Sequence, residues 1–168
     1  MIIQDVKIHR SPNRVRTVNA YLEQGILHVQ APQNISEQEL QNIISKFKKR
    51  ITKRKLRKEL NKNHNLKEIA EKLNKKYFAG RLEISSIAYT TNQDKKYGVC
   101  NVSNGSILIS HRLAKMPEWV RDYIIVHEMA HLIEPNHSKR FHNIVSRYPL
   151  AERSKGFLMA MGFEEDTG

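Results

Sequence analysis

The chain has one cysteine in 168 residues, Cys100, which excludes an internal disulfide and fits a reducing compartment. Long apolar runs are missing too: none approaches the roughly eighteen residues of a membrane span, so no membrane partner is expected. The opening stretch Met1-Ile2-Ile3-Gln4-Asp5-Val6 lacks the basic flank and long apolar core of a signal peptide, and the expected location is the cytoplasm. Internal repeats, low-complexity tracts and a recognisable linker are also absent, which points to a single domain over 1–168. Acidic residues are scarce, 17 against 29 Lys and Arg, for a net charge of +12. The imbalance is local. Lys46 to Lys62 holds ten Lys or Arg and one Glu, leaving the rest of the chain close to neutral.

The residues that carry chemistry gather in Ile124-Ile125-Val126-His127-Glu128-Met129-Ala130-His131, an H-E-x-x-H pattern. A helix turns about 100° per residue, so His127 and His131 fall within about 40° of each other, one turn apart. Both imidazoles then reach one ion at a Zn–N distance of about 2.0–2.1 Å. Glu128 sits about 100° round from His127, able to reach a water at the ion without being obliged to ligate. A catalytic site needs a third protein ligand and an open position. His137 supplies it six residues on, because Pro135 and Asn136 favour a turn and the helix should end near Ile133 or Glu134. Three neutral imidazoles suit one Zn2+ per chain, with Glu128 as the general base.

Other candidates are less sharply placed. His142 follows His137 by five positions, awkward for sharing one ion, and reads as a support behind the ligands or a surface residue. Cys100, without a C-x-x-C partner, reads as a small buried residue. Tyr97, Tyr123, Tyr148 and Arg140 are candidate stabilisers of a tetrahedral oxyanion, and Asn136 a candidate substrate contact. His111 lies on the approach to the zinc helix; His9, His28 and His64 have no constellation around them. In the basic run, Lys48, Lys49, Arg50, Lys53 and Arg54 form a candidate nucleic-acid surface.

Asp122-Tyr123-Ile124-Ile125-Val126-His127-Glu128-Met129-Ala130-His131-Leu132, followed by Asn136-His137-Ser138-Lys139-Arg140-Phe141, resembles the YgjP-like group of small bacterial zinc metallopeptidases, itself similar to the SprT-like metalloproteases. Tyr97-Gly98-Val99-Cys100 falls where that group usually reads Trp-Gly-Ser-Cys, and Asn74 to Leu82 looks like the helix-to-strand opening of SprT-like domains. The departures are Tyr97, Val99 and His142, which stands where the family usually has Trp; they leave the metal triad untouched. The resemblance implies the same ligands, the same base and a peptide or protein substrate.

The elements place these motifs. Residues 6 to 31 read as antiparallel strands with a turn at Gln24-Gly25, although which face of 15–22 is buried is ambiguous. Ser36 with Glu39, and Asn65 with Glu68, are capping boxes that open two helices. The first runs into the basic stretch and breaks at 61–63; the second is closed by Gly80. Leu82 to Thr90 reads as a strand, and 97–102 with 106–110 as a hairpin around Asn104-Gly105. Pro117 opens the zinc helix, apolar nearly all round and therefore buried. Ser138 caps the next helix, and a short one around 157–161 closes the chain. Met159 and Met161 read as core residues, not a Met-turn. The fold class is α+β, a zincin-like single domain: an N-terminal antiparallel sheet and helices, then a hairpin and the buried H-E-x-x-H helix. Glu134 stands where metzincins have Gly and argues against that group. Two rivals to peptidase action stand: hydrolysis of nucleotide phosphoanhydrides with the same water, and a nucleic-acid-binding module with structural zinc. The second needs a fourth ligand from His142, Cys100 or Glu134.

Overall fold

Residues 3–93 and 95–162 are described by a computed structural model, a mixed α+β chain. It divides into two units, Met1–Lys55 and Leu56–Gly168.

The first unit holds strands β1 (Asp5–Ser11), β2 (Asn19–Glu23) and β3 (Ile26–Pro32), in the order β1-β3-β2. β2 and β3 pair antiparallel across Gln24 and Gly25, whose φ of 48° and 88° are the left-handed pair that such a two-residue turn requires. β1, however, runs parallel to β3, from Asp5↔Ile26 to Ser11↔Pro32. The sheet is mixed, not antiparallel throughout as its sequence suggests. The reason lies in residues 12–18, which form no hairpin and carry the chain past β3 to its far side. Val15 is 82% exposed there, so no burial draws this segment into the expected strand. The ambiguous alternation also resolves: Val18, Ala20 and Leu22 pack inward with Leu27, Val29 and Ala31. On the opposite face Tyr21 stacks on His28 at 5.0 Å, and His28 on His9 at 5.6 Å, a grouping no sequence spacing announces.

Helix α1 (Glu37–Asn63) covers the inward face of this sheet with Leu40 and Ile44. Ser36 Oγ accepts from the Glu39 N–H at 3.3 Å, as the capping box requires. The helix then runs on into the second unit. Its end is fastened there: the Tyr89 N–H donates to Asn61 Oδ1 at 2.8 Å, and Asn61 Nδ2 donates to the Tyr89 carbonyl at 3.0 Å.

In the second unit α2 (Leu66–Phe78) is capped by Asn65. Its left-handed exit begins at Ala79, φ 56°, one residue before the expected Gly80. Strands β4 (Ser86–Thr90), β5 (Gly98–Asn101) and β6 (Ser106–Ser110) form a second sheet in the order β4-β6-β5. β5 and β6 are the expected antiparallel hairpin, and β4 lies parallel to β6. Residues 82–85 stay outside the strand expected there. The Asn74 side chain takes both backbone groups of Leu82, accepting from its N–H at 3.3 Å and donating to its carbonyl at 2.8 Å.

Helix α3 (Glu118–Ala130) is the hub of this unit, touching α2, β5, β6 and the helices α4 (Lys139–Val145) and α5 (Ala151–Ala160). Nine of its thirteen residues are buried, which fits a stretch apolar nearly all round. Regular helix stops at Ala130, short of the expected Ile133, although the Glu134 N–H still donates to the Ala130 carbonyl at 2.9 Å. α5 starts six residues earlier than the expected 157 and buries only Ala151, Ser154 and Leu158. Met159 and Met161 are therefore exposed, not core. Among the described residues no helix is long and apolar enough to cross a membrane.

Candidate metal centre

The register of α3 sets the centre. His127 and His131 lie one turn apart, with ring centroids 5.1 Å from each other. Beyond the helix the chain turns at Pro135 and returns His137 to both, at 5.2 Å from His127 and 4.9 Å from His131. One nitrogen from each ring lies within 4.8 Å of the other two, and Nε2 of His131 and His137 are 3.2 Å apart. Two nitrogens each about 2.0–2.1 Å from one tetrahedral ion would stand about 3.4 Å apart, so this edge fits a zinc-sized cation. Among the described residues the group holds these three alone; His142, Cys100 and Glu134 do not join it.

The surroundings keep the imidazoles of His127 and His131 in the neutral form that a metal ion requires. Burial, then the neighbouring His131 and His137, push the His127 imidazole down to about 3, so it is neutral near pH 7. Burial lowers His131 as well, while backbone hydrogen bonds at Glu134 and Pro135 pull the other way and fix its ring. Phe141, 1% exposed, forms the floor: its ring lies 4.8, 4.5 and 4.7 Å from those of His127, His131 and His137. Ser138 sets this floor by capping α4, its Oγ accepting from the Phe141 N–H at 3.3 Å.

Glu128 faces a different wall. It is 5% exposed and lies against β5, where the backbone of Cys100 hydrogen-bonds its carboxylate. Burial pushes its carboxyl up to about 8, against the opposing pull of Lys96 and the Cys100 backbone. The fit against Gly98 is close: a Cβ there would stand 2.3 Å from Glu128 Oε1 and 2.6 Å from its Cδ. Only a residue without a side chain leaves this space for the carboxylate.

Both features open on one cleft of about 440 Å³, lined by Lys96 to Cys100, Val102, the three histidines, Glu128 and an apolar wall including Ile124 and Val145. Tyr97 lines it from a buried position, its ring held from behind by the Arg112 guanidinium at 4.1 Å. His142 lines it from an exposed position, 6.4 Å from the His137 ring. Tyr123 also contributes, whereas the Tyr148 hydroxyl is turned away and donates to the Trp119 carbonyl at 3.0 Å. Asn136 and Arg140 are exposed and not among the lining residues. Cys100 lines the cleft as a thiol, its pKa pushed up to about 11 by burial and then by Glu128. His111 starts a short 3-10 helix, its Nδ1 buried without a hydrogen-bond partner. Lys48, Lys49, Arg50, Lys53 and Arg54 belong to α1 in the first unit and are exposed.

Lys96, Gly98 and Phe141 are site residues whose roles sequence spacing did not reveal. Gly98 and Phe141 stand inside the stretches that carry the family resemblance, so the signal was present without its meaning. Lys96 sits in a polar loop, and only the packing of β5 on α3 brings its charge close enough to act on Glu128.

A mixed α+β unit thus gathers three imidazoles that could hold a metal ion and a buried carboxylate on one cleft, around an H-E-x-x-H helix. The family model described as YgjP-like, metallopeptidase domain, matches residues 62–156, more than half of the chain and wholly within the second unit. The chain belongs to the YgjP-like family. No curated protein and no solved structure gives a significant match.

Proposed function

We propose that the chain is a zinc metallopeptidase with a zincin-like arrangement of its second unit. The observation that carries this is the convergence of His127, His131 and His137 beside the buried Glu128 on a single cleft. Zinc held by the three histidines would supply a Lewis acid that polarises a carbonyl and acidifies water at its open position. Glu128 takes the proton of the attacking water and passes it to the leaving amine. Burial raises its proton affinity, which favours holding the proton that it takes. Lys96 and Tyr97 line the same cleft, and we assign to them the stabilisation of charge developing on the carbonyl oxygen.

The substrate reading follows from β5. It is the end strand of its sheet, and the Ser110 N–H donates to the Tyr97 carbonyl at 2.8 Å. Strand alternation then turns the backbone groups of Gly98 and the carbonyl of Cys100 to the outer edge, where the Cys100 N–H already serves the Glu128 carboxylate. An extended peptide pairing along this edge would present its carbonyl between Glu128 and the histidines. The apolar residues Val99, Val102, Ile124 and Val145 in the lining favour apolar side chains next to the scissile bond.

Chelation tests the reading directly. Stripping the metal should abolish cleavage of an unfolded protein, and one equivalent of Zn2+ should restore it. Release of phosphate or pyrophosphate from nucleoside triphosphates, without peptide cleavage, would instead assign the phosphoanhydride reaction.

Gly98 gives a sharper test. Gly98→Ala should keep zinc near one per chain yet lower kcat/KM by about 100-fold, because an ångström-scale displacement of a catalytic group costs about that much. Wild-type kcat/KM in this variant would show that Glu128 does not work from where it packs.

A further inference from the structure

The basic run lies outside the cleft and plays no part in the proposed reaction. We infer that the exposed face of α1 between Lys46 and Arg54 is a nucleic-acid-binding surface that grips the phosphate backbone without reading sequence. Lys46, Lys48, Lys49, Arg50, Lys53 and Arg54 are all exposed, and no acidic residue lies between Glu39 and Glu59. At about 100° per residue, Lys46, Lys49, Arg50, Lys53 and Arg54 fall within an arc of about 140°, one continuous cationic face. Those positions span eight residue steps, a rise of about 12 Å, enough to meet successive phosphates. The unit as a whole is cationic, with eleven Lys and Arg against four Asp and Glu.

Two features favour a polyanion with planar, repeated acceptors over an anionic membrane. Arg50 is laid over the Phe47 ring at 4.6 Å, which orients its guanidinium while leaving the N–H edge for phosphate oxygens. The apolar stripe of the helix is already used. Leu40 and Ile44 are buried, and Phe47 and Ile51 pack against the same core. Membrane-surface helices bury an apolar face among the lipids. Here that stripe faces the sheet, so the solvent side of the helix between Lys46 and Arg54 offers charge, and charge is what the nonspecific nucleic-acid mode uses.

The experiment uses the full chain, a fluorescent mixed-sequence DNA duplex of about twenty base pairs, and phosphatidylserine-containing vesicles. Five phosphate contacts give a slope of about −4.5 in log affinity against log salt, so binding should weaken roughly 500-fold between 50 and 200 mM salt. A scrambled duplex should bind alike. Joint substitution of Lys46→Glu, Lys49→Glu, Arg50→Glu, Lys53→Glu and Arg54→Glu should abolish binding with zinc content unchanged. The single Arg50→Gln guards against misfolding of that variant, and should lower the slope by about one. Duplex binding that both variants leave unchanged would overturn the inference. So would its absence at 50 mM salt, or capture by the vesicles without capture by the duplex.

Discussion

Glu128→Gln should retain zinc and fold while losing hydrolysis by about 10²–10⁴-fold, the usual contribution of general base catalysis. The carboxamide is close to isosteric with the carboxylate, but it cannot accept a proton near neutral pH. Its oxygen can still accept from the Cys100 backbone that now hydrogen-bonds Glu128. The space beside Gly98 is unchanged, so the packing that holds the side chain survives. The measurement compares wild type and variant at matched zinc occupancy on an unfolded protein and on short peptides. Equal activity of the two would remove Glu128 from the reaction. Together with Gly98→Ala it forms a pair: one variant keeps the position and removes the base, the other keeps the base and takes its place.

His137→Ala should lose most of its zinc, whereas His142→Ala should keep close to one ion per chain. Removing His137 leaves two imidazoles, and among the described residues no other His, Cys, Asp or Glu stands in the group to replace it. The loss of affinity should exceed the 10–100-fold typical of a residue that only orients a ligand. His142 lines the cleft, but its ring is 6.4 Å from that of His137 and its place is exposed. Elemental analysis after dialysis against a weak chelator separates the two. Metal lost from the His142 variant and kept by the His137 variant would transfer the third ligand to His142.

How much of this was legible differs from element to element. The His127 and His131 pair was fully readable, because four residues along a helix bring two side chains together whatever packs around them. The helix starts were readable for the same reason: Ser36, Asn65 and Ser138 each bond a backbone N–H three residues on, within one turn. His137 was readable in kind, since Pro135 and Asn136 turn the chain after α3, but only the folded turn places its ring 4.9 Å from His131. Asn136 and Arg140 shared its sequence neighbourhood and still fell outside the cleft lining. A side chain's direction after a turn depends on backbone angles that composition does not encode.

By itself, then, the sequence determined what short-range geometry determines: the helix starts at Ser36, Asn65 and Ser138, the hairpin of β5 and β6, the first two histidines of the triad, and a family membership resting on them. Tertiary structure alone decided the rest. It made β1 parallel to β3, because strand pairing is chosen by how residues 12–18 travel and not by the strands' own alternation. It turned the Tyr148 hydroxyl to Trp119 and left Tyr97 on the cleft, two tyrosines the sequence could not tell apart. It laid β5 over α3, so that Gly98 makes room for Glu128 and Lys96 reaches it from a loop some thirty residues earlier in the chain. Contacts of that separation follow from the packing of a whole core, and no local period of side chains records them.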